Sequence, residues 1–299
     1  MEFKQLKTFR TAARTESFSE TADILCYVQS AVTAHIKALE TELNVKLFDR
    51  HGRNVKLTQA GIQLYQYTEQ LFNLREQAET AVRSTQSVVG KLNISAYETV
   101  LTYRLPPLIT EFSKQFPEVN LFVSSLNVRR LSEQVINHQV DIAFTLGHED
   151  IAERFSKFAL RKEQIVVIAA PDHPLVTRNS ITAEDFKGET ILLTEQGCQY
   201  RKKFLTALND VKPVQIKYLE FVSIEAIKSC VSMGLGIAAI SRISAQKDID
   251  AGKLTVLDWA GPDLSLTLNM IWSSNRWLSP AVKTFIALSK SRLFKQIEH

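Results

Sequence analysis

The sequence has little cysteine and no long apolar run. Its three cysteines, Cys26, Cys198 and Cys230, are too scattered for a disulfide framework, and none belongs to a Cys-x-x-Cys pair or a metal-binding His/Cys spacing. The first residues lack the apolar core of a secretory signal, and no stretch approaches the roughly 18 uncharged apolar residues of a membrane span. We therefore expect a cytoplasmic protein without disulfides, structural zinc or a membrane partner.

Motifs of catalysis are missing as well. The sequence contains no P-loop, no GxGxxG and no ordered Ser/His/Asp set, and its six histidines lie in different segments. An enzyme with this sequence would have no evident reaction, so we expect neither an enzymatic activity nor a cofactor.

The composition is that of an ordinary globular protein. A chain of 299 residues, 45% hydrophobic and 23% charged, is long enough for two or three domains. The formal net charge of +4 is too mild to identify a nucleic-acid binder by itself. Between Lys46 and Lys56, however, four basic residues stand against a single acid, Asp49. Such a patch suits DNA phosphates, although a solvated loop would have the same composition.

The N-terminal segment has the spacing of a helix-turn-helix. Apolar residues recur at helical spacing from Leu6 to Ala12, and Ser17 or Ser19 can cap a short second helix. A third helix begins near Gln29 and has one apolar face. In a helix-turn-helix the later helix enters the major groove, so the third helix is the candidate recognition helix.

The outward face of the third helix carries small or hydrogen-bonding side chains of a size suited to base edges, although a polar solvent face would look the same. The following segment favours DNA binding. Leu47 and Phe48 form an apolar anchor, a basic turn follows at 50–53, and Val55 alternates with Leu57, which predicts a β-hairpin wing. The outward residues are Ser30, Thr33, Ala34, His35 and Lys37.

These residues closely resemble the LysR-type transcriptional regulator family, in register and without a gap from Phe9 to Gly61. The matching positions are Phe9, Ser17, Phe18, Ala22, Leu25, Gln29, Ser30, Ala31, Val32, Ile36, Leu39, Glu40, Leu43, Leu47, Phe48, Arg50, Leu57, Thr58 and Gly61.

The resemblance implies an α/β protein with a winged helix-turn-helix, a long linker helix and a two-lobed effector domain like that of periplasmic binding proteins. The implied domains are a DNA-binding domain at 1–58, a dimerisation helix at 59–89 and an effector-binding domain at 90–299. Within the last, one lobe comprises 90–161 with 266–299, and the other comprises 162–265.

The resemblance also implies which residues contact double-stranded DNA. Many members of the family have Arg where this chain has Ala34, so base reading is expected from other positions on the same helix, and the operator need not match theirs. The predicted DNA-binding residues are Gln29, Ser30, Thr33, His35 and Lys37 on the recognition helix and Arg50, Arg53 and Thr58, which contact the DNA backbone.

The linker has a heptad pattern. From Thr58 to Val88 there is no Pro, and the only Gly is Gly61. The apolar residues follow steps of four and three, which predicts a coiled coil with a second copy, hence a homodimer on a pseudo-palindromic operator. The alternative is a single amphipathic helix lying on its own domain. The resemblance implies a homotetramer of two such dimers. The seam comprises Ala60, Leu64, Tyr67, Leu71, Leu74, Ala78 and Ala81.

Beyond Gly90, short apolar strands alternate with helices, which predicts parallel α/β sheets. The predicted strands are 91–97, 120–125, 141–147, 164–170, 190–194 and 216–221, and the predicted helices are 105–116, 129–138, 199–208 and 223–234.

Ligands of open α/β sheets bind at the carboxyl ends of strands, beside helix N-termini. We therefore predict a small-molecule effector there, anionic because of the helix N-termini or amino-acid-like if Glu98 and Glu195 both face the cleft. Single members of the set, such as Ser223, can equally be helix caps. The predicted effector-binding residues are Glu98, Thr99, Val100, Asn127, Thr145, Glu195, Gly197, Cys198, Phe221 and Ser223.

Two alternatives to an effector-responsive regulator stay open. Basic residues follow Cys198 at a predicted helix N-terminus, an environment that lowers a thiol pKa and would suit a redox-responsive regulator. A cytoplasmic small-molecule-binding protein or an enzyme on the same two-lobed fold is the alternative from a different class.

Overall fold

Two units make up the chain, and each is described by itself. A computed structural model describes residues 1–51, 54–83, 88–126, 130–136, 139–147, 155–208, 216–274 and 277–294. Unit 1 is Met1–Thr85 with Ile136–Gln139, and unit 2 is Gln86–Val135 with Val140–His299. Within the described ranges, no helix has both the length and the apolar character needed to cross a membrane.

Unit 1 begins with three helices, continues with a two-stranded hairpin and ends in a long helix. The turns between the helices are set locally, because Ser17 accepts a hydrogen bond from the N–H of Glu20 and so caps the second helix, as the sequence predicts. The elements are α1 (Phe3–Thr15), α2 (Phe18–Leu25), α3 (Gln29–Leu43), β1 (Phe48–His51), β2 (Asn54–Leu57) and α4 (Gln59–Arg83).

The core of unit 1 lies where the first three helices meet the hairpin. Apolar side chains of α1, α2 and α3 pack with Leu47 and Phe48, and the Phe48 ring lies 5.5 Å from the rings of both Phe9 and Phe18. Gly61 lets α4 approach this core, since a Cβ at that position would lie 2.1 Å from the carbonyl oxygen of Leu47. The predicted anchor at 47–48 is therefore confirmed as core.

Unit 2 contains two five-stranded sheets with helices packed on them. Its elements are β3 (Gly90–Ala96), α5 (Glu98–Tyr103), α6 (Leu105–Gln115), β4 (Val119–Ser125), α7 (Leu131–Ile136), β5 (Ile142–Leu146), β6 (Phe155–Glu163), β7 (Ile165–Ala169), β8 (Thr190–Thr194), α8 (Gln199–Leu208), β9 (Lys217–Phe221), α9 (Ile224–Ser232), β10 (Ile237–Ser241), α10 (Arg242–Asp250), β11 (Thr255–Val256), β12 (Leu266–Ser273) and α11 (Pro280–Leu293).

The sheets define two lobes. Lobe 1 has the strand order β4-β3-β5-β12-β6, and lobe 2 has the order β11-β7-β10-β8-β9. The chain passes between them from β6 to β7 at Gln164, and again between β11 and β12. This α/β architecture, with its winged helix-turn-helix and long helix, is the predicted fold class.

The prediction of parallel sheets holds for only part of each sheet. The strands β3, β4 and β5 run parallel, as do β8, β9 and β10. The strand β12, however, is antiparallel to β5 and β6, and β7 is antiparallel to β10. Both β7 and β12 enter their sheets directly from the other lobe, so no helical crossover fixes them in the parallel direction.

Candidate DNA-binding face and ligand cavity

The exposed side of α3 begins at its first turn. Gln29, Ser30 and Lys37 are exposed, and the N-cap residue Val28 is 68% exposed and has no polar side chain to cap the helix. Thr33 is half-buried, and its hydroxyl donates to the carbonyl oxygen of Gln29 at 3.1 Å. The polar groups available at the start of α3 are therefore mainly those of Gln29 and Ser30.

The side chain of His35 on α3 is held by neighbouring residues of unit 1 and does not extend freely from the helix. Its Nδ1 lies 2.9 Å from the hydroxyl of Thr8, which is fully buried on α1, and its ring meets the Tyr27 ring edge-on at 5.7 Å. Only Nε2 is left to contact a DNA base. His35 thus links α1 to the exposed face of α3, a contact that the sequence pattern does not indicate.

Glu40 connects α3 to the hairpin. Its side chain is 5% exposed, and its carboxylate accepts hydrogen bonds from the N–H of Leu47 at 2.9 Å and from Lys46 Nζ at 3.1 Å. Burial alone would raise the pKa of Glu40, but these hydrogen bonds outweigh it and hold the pKa below its usual value. Glu40 thus fixes the start of β1 relative to the recognition helix.

The hairpin has the position of a wing. Phe48 pairs with Leu57 and Arg50 with Val55 in an antiparallel register, while Arg53 lies outside the described residues, and of Arg50 only the backbone is described.

The prediction that Thr58 contacts the DNA backbone requires a correction. Its hydroxyl donates to Lys46 O at 2.7 Å and accepts from Gly61 N at 3.0 Å, so it caps α4 and has no hydrogen left for a phosphate.

One face of α4 packs on α1. Thr68 is fully buried, and the Phe72 ring lies 5.6 Å from the Phe3 ring with the Arg10 guanidinium 4.1 Å above it. Arg14 donates to Tyr65 at 3.2 Å and to Glu69 at 2.8 Å. These contacts orient α4 within unit 1.

The other face of α4 carries the predicted heptad seam. Leu64 is half-buried in the core of unit 1, whereas Tyr67 is 64% exposed, Leu71 37% and Leu74 57%. Ala78 is exposed too, and the side chain of Ala81 is outside the described residues. From Tyr67 onward the helix therefore presents an uncovered apolar stripe.

A cavity of about 350 Å³ lies between the lobes of unit 2, at the carboxyl ends of β3, β4, β8 and β9. Loops from lobe 1 and lobe 2 both contribute to its wall, the arrangement expected of a ligand site in open α/β sheets. The lining residues are Tyr97, Glu98, Thr99, Ser125, Leu126, Thr194, Glu195, Cys198, Tyr200, Val222, Ser223 and Ile224.

Two carboxylates in this wall come from opposite lobes. Glu98 follows β3, and Glu195 follows β8. Burial raises the pKa of Glu98, and the negative charges of Glu225 and Glu195 raise it further, although the backbone N–H of Ile224 donates to its carboxylate. The cavity therefore has an acidic wall.

Buried hydroxyls complete the wall. Thr194 and Tyr200 are 7% and 3% exposed, and within the part of the chain that the structure describes neither hydroxyl has a partner at hydrogen-bond distance; the Cys198 thiol lies near that of Thr194, and the Thr99 hydroxyl lies near that of Tyr200. Burial raises the pKa of Tyr97 and of Tyr200 far above the ordinary value, so both phenols are neutral donors. An unpaired buried hydroxyl costs free energy, which a ligand bound in the cavity would recover.

Comparisons with known proteins identify both units. A family model described as "Bacterial regulatory helix-turn-helix protein, lysR family" matches residues 3–62, and the "LysR substrate binding domain" model matches residues 85–293. The chain belongs to the LysR family of transcriptional regulators.

Relatives of this LysR-family regulator cover nearly its whole length. It is 40% identical to the "Uncharacterized HTH-type transcriptional regulator YwqM" of Bacillus subtilis over 97% of this chain and 99% of that protein. It is 32% identical to the "HTH-type transcriptional regulator YofA" of the same organism over 96% and 97% of the two chains. Because these relatives are named transcriptional regulators, the prediction of a transcriptional regulator is confirmed, and the alternative of an enzyme on the same fold is not favoured.

Solved structures share the fold. A full-length OxyR variant from Pseudomonas aeruginosa has a TM-score of 0.72 at 20% identity, covering 98% of this chain and 94% of that one. The regulator CbnR, complexed with its target DNA, has a TM-score of 0.72 at 18% identity, with coverage of 98% and 100%. The regulatory domain of CcmR from Synechocystis PCC6803, in complex with 2-PG, has a TM-score of 0.62 at 22% identity, covering 70% of this chain and all 100% of that domain.

The cavity of the LysR-family regulator brings together half of the residues predicted to bind an effector. These are Glu98, Thr99, Glu195, Cys198 and Ser223. Ser223 also caps α9, since its hydroxyl accepts from the N–H of Ala226 at 3.4 Å. Tyr97, Thr194 and Tyr200 were missed, although 97 and 194 end predicted strands and 200 lies in the first turn of a predicted helix.

Four other predicted effector contacts do not line the cavity. Val100 is 2% exposed and Thr145 is fully buried in β5, so both belong to the core. Gly197 occupies a turn with a φ of 98°, and Phe221 is half-buried against the core. Asn127 lies outside the described residues.

Cys198 does not have the environment predicted for a redox sensor. Burial raises the pKa of its thiol and outweighs the opposing effects of the Thr194 hydroxyl and of the N–H groups of Tyr200 and Arg201. The guanidinium of Arg201 pairs with Glu220 instead of assisting the thiolate. The expectation of a lowered pKa for the Cys198 thiol is therefore wrong, because the thiol is buried in the cavity wall rather than exposed beside the basic residues.

Within the described ranges, no cluster of three His, Cys, Asp or Glu is arranged to hold a metal ion.

Proposed function

We propose that this LysR-family regulator acts in the cytoplasm as a homodimer joined through α4. The dimer binds a pseudo-palindromic operator and pairs into a homotetramer, and a small molecule in the inter-lobe cavity changes the arrangement of the DNA-binding units. The observation that carries the proposal is a cavity walled by loops of both lobes, because a ligand that contacts both lobes stabilises one lobe arrangement over another.

The exposed start of α3 supports base reading by Gln29 and Ser30, with Lys37 near the phosphates. Replacing Gln29 by Ala should weaken binding to the preferred operator by about 1–3 kcal/mol and relax the preference at one base pair. Replacing Lys37 by Ala should weaken binding to all duplexes and reduce the salt slope by about one unit. Selection from a random duplex library, followed by gel shifts over a salt series, measures both effects.

A matched control for Lys37 is Lys187→Ala, which removes an exposed lysine from unit 2. If Lys187→Ala lowers the salt slope as much as Lys37→Ala, then Lys37 has no specific place at the DNA. If Gln29→Ala keeps the sequence preference of the wild type, base reading does not involve the first turn of α3.

Thr99 tests the cavity. It is 5% exposed and lines the wall, so Thr99→Val keeps the shape while removing the hydroxyl. We expect a thermal-shift screen of metabolites to find a stabilising compound whose affinity for Thr99→Val, measured by calorimetry, is about tenfold weaker. Operator binding without the compound should stay unchanged. Equal affinities for wild type and Thr99→Val would place the effector outside the cavity.

A further inference from the structure

We propose that the effector of this regulator is an organic cation, a small molecule whose protonated amine lies between Glu98 and Glu195. The proposal rests on the proposed effector-binding role of the same cavity and specifies the chemical class of the ligand. It replaces the expectation of an anion, which followed from helix N-termini alone.

The charge of the cavity wall is the first reason. Glu98 contributes a carboxylate from lobe 1 and Glu195 one from lobe 2, and none of the described residues that line the cavity is basic. Glu225 adds a third negative charge that acts on Glu98. Opposing carboxylates without a counterion repel each other, and a cation between them removes that repulsion.

Two basic side chains on the neighbouring helices are already paired. Lys228 of α9 lies 2.9 Å from Glu225 and 2.8 Å from Asp248. Arg201 of α8 binds Glu220 and the carbonyl oxygen of Thr194. These cations hold lobe 2 together, so they do not neutralise Glu98 or Glu195.

The helix N-terminus that an anion would use is occupied. The hydroxyl of Ser223 accepts from Ala226 N at 3.4 Å. Glu98 lies near the first turn of α9, where the N–H of Ile224 partly offsets the rise that burial causes in the pKa of its carboxylate. Its negative charge therefore faces a ligand carboxylate approaching this helix end. An anionic ligand would meet that charge and the charge of Glu195 as well.

The buried hydroxyls are an independent sign of a ligand. Thr194 and Tyr200 line the cavity and are more than nine-tenths buried, and within the described ranges neither hydroxyl has a partner at hydrogen-bond distance, with only the Cys198 thiol and the Thr99 hydroxyl nearby. An ammonium group has three donors, which two carboxylates and a hydroxyl oxygen can accept. The rings of Tyr97 and Tyr200 in the same wall add cation–π attraction. The remaining apolar wall suits the carbon chain of the ligand.

The test uses the full-length protein and ligand series that differ only in charge. Calorimetry at constant ionic strength compares α,ω-diamines of increasing length with the diols and the dicarboxylates of the same lengths. We expect at least one diamine to bind, with its diol about tenfold weaker or worse and its dicarboxylate showing no binding. Glu98→Gln and Glu195→Gln should each weaken the diamine about tenfold or more.

The control is Glu184→Gln, which removes an exposed carboxylate from the same lobe as Glu195 and should leave diamine affinity unchanged. If a dicarboxylate binds best and Thr99→Val weakens it, the cation inference is wrong while the effector site stands. If no diamine binds, or if both glutamine variants bind the diamine as tightly as the wild type does, the inference is also wrong. The proposed function fails separately, if no compound bound by the cavity alters operator binding.

Discussion

A variant with Asp at both Leu71 and Leu74 should be a monomer and should bind the operator about 10²- to 10⁴-fold more weakly than the wild type. Both side chains lie on the stripe of α4 that unit 1 leaves uncovered, at 37% and 57% exposure. In a coiled-coil seam both positions pack against the helix of the second copy, so two aspartates on each helix bring like charges into an apolar interface. Without the seam, the two DNA-binding units are no longer linked, so they cannot bind two half-sites as one dimer and the gain in affinity from simultaneous binding is lost.

Sedimentation velocity and gel shifts on a full operator and on a single half-site measure this result. Because neither leucine is buried within the protomer, unit 1 should stay folded, although the variant loses the stabilisation that dimerisation adds. The matched control is Val82→Asp, which makes the same kind of change at the most exposed apolar side chain of α4, 82% exposed and outside the heptad positions. A variant at 71 and 74 that stays dimeric, or a Val82→Asp variant that dissociates equally, would assign the interface to another face.

Much of unit 1 could be predicted because its signals are local. The cap at Ser17, the start of α3 at Gln29 and the apolar anchor at 47–48 each depend on residues a few positions apart. What the pattern could not show is which polar groups are already engaged. His35 looks like a base-reading residue, but its Nδ1 meets a buried hydroxyl on α1, 27 positions away.

Six strands of unit 2 were predicted, and β6, β10, β11 and β12 were missed. Of these, β6, β11 and β12 border the two places where the chain passes between the lobes. Their direction depends on contacts distant in sequence. The long antiparallel pairing of β6 with β12 joins residues about a hundred positions apart, from Glu163 with Leu266 to Phe155 with Ser273.

The cavity shows the same limit. The rule that ligands bind at the carboxyl ends of strands located the loops of Glu98, Glu195 and Ser223. It could not decide which residue of each loop faces inward, since that depends on the local turn, and so it included Val100 and Gly197 but missed Tyr97 and Tyr200. The anionic effector expected from helix N-termini is replaced in our proposal for a similar reason, because Glu98 of the opposite lobe lines the cavity beside the first turn of α9.

Glu40 carries the second large prediction. Replacing it by Ala leaves the buried N–H of Leu47 without its acceptor, which should destabilise the junction between α3 and β1 by about 1–3 kcal/mol. Ala is the better helix former, so the loss cannot come from helix propensity. In the full-length protein, hydrogen exchange at Leu47 and Phe48 should accelerate about 5- to 150-fold, because 1.4 kcal/mol corresponds to tenfold in an opening equilibrium. Operator binding should weaken with it, as the wing loses its fixed position.

Two further variants separate the hydrogen bond from the charge. Glu40→Gln keeps an oxygen acceptor for the N–H of Leu47 and loses only the ion pair with Lys46, whose side chain is 77% exposed. The hydrogen-exchange rate at Leu47 in Glu40→Gln should therefore lie between the rates in Glu40→Ala and in the wild type. Glu42→Ala, on the same helix, breaks an exposed ion pair with the N-terminal amine and should change little. The hydrogen bonds lower the pKa of Glu40 in the folded state. The stabilisation that ionised Glu40 gives the folded protein is therefore fully present above the pKa of Glu40 in the unfolded chain, and it is lost as the pH falls through the pKa of Glu40 in the folded protein. The wild-type junction should therefore open progressively in acid while the Gln variant shows a smaller change, and equal pH dependence in both would mean that Glu40 does not hold the wing.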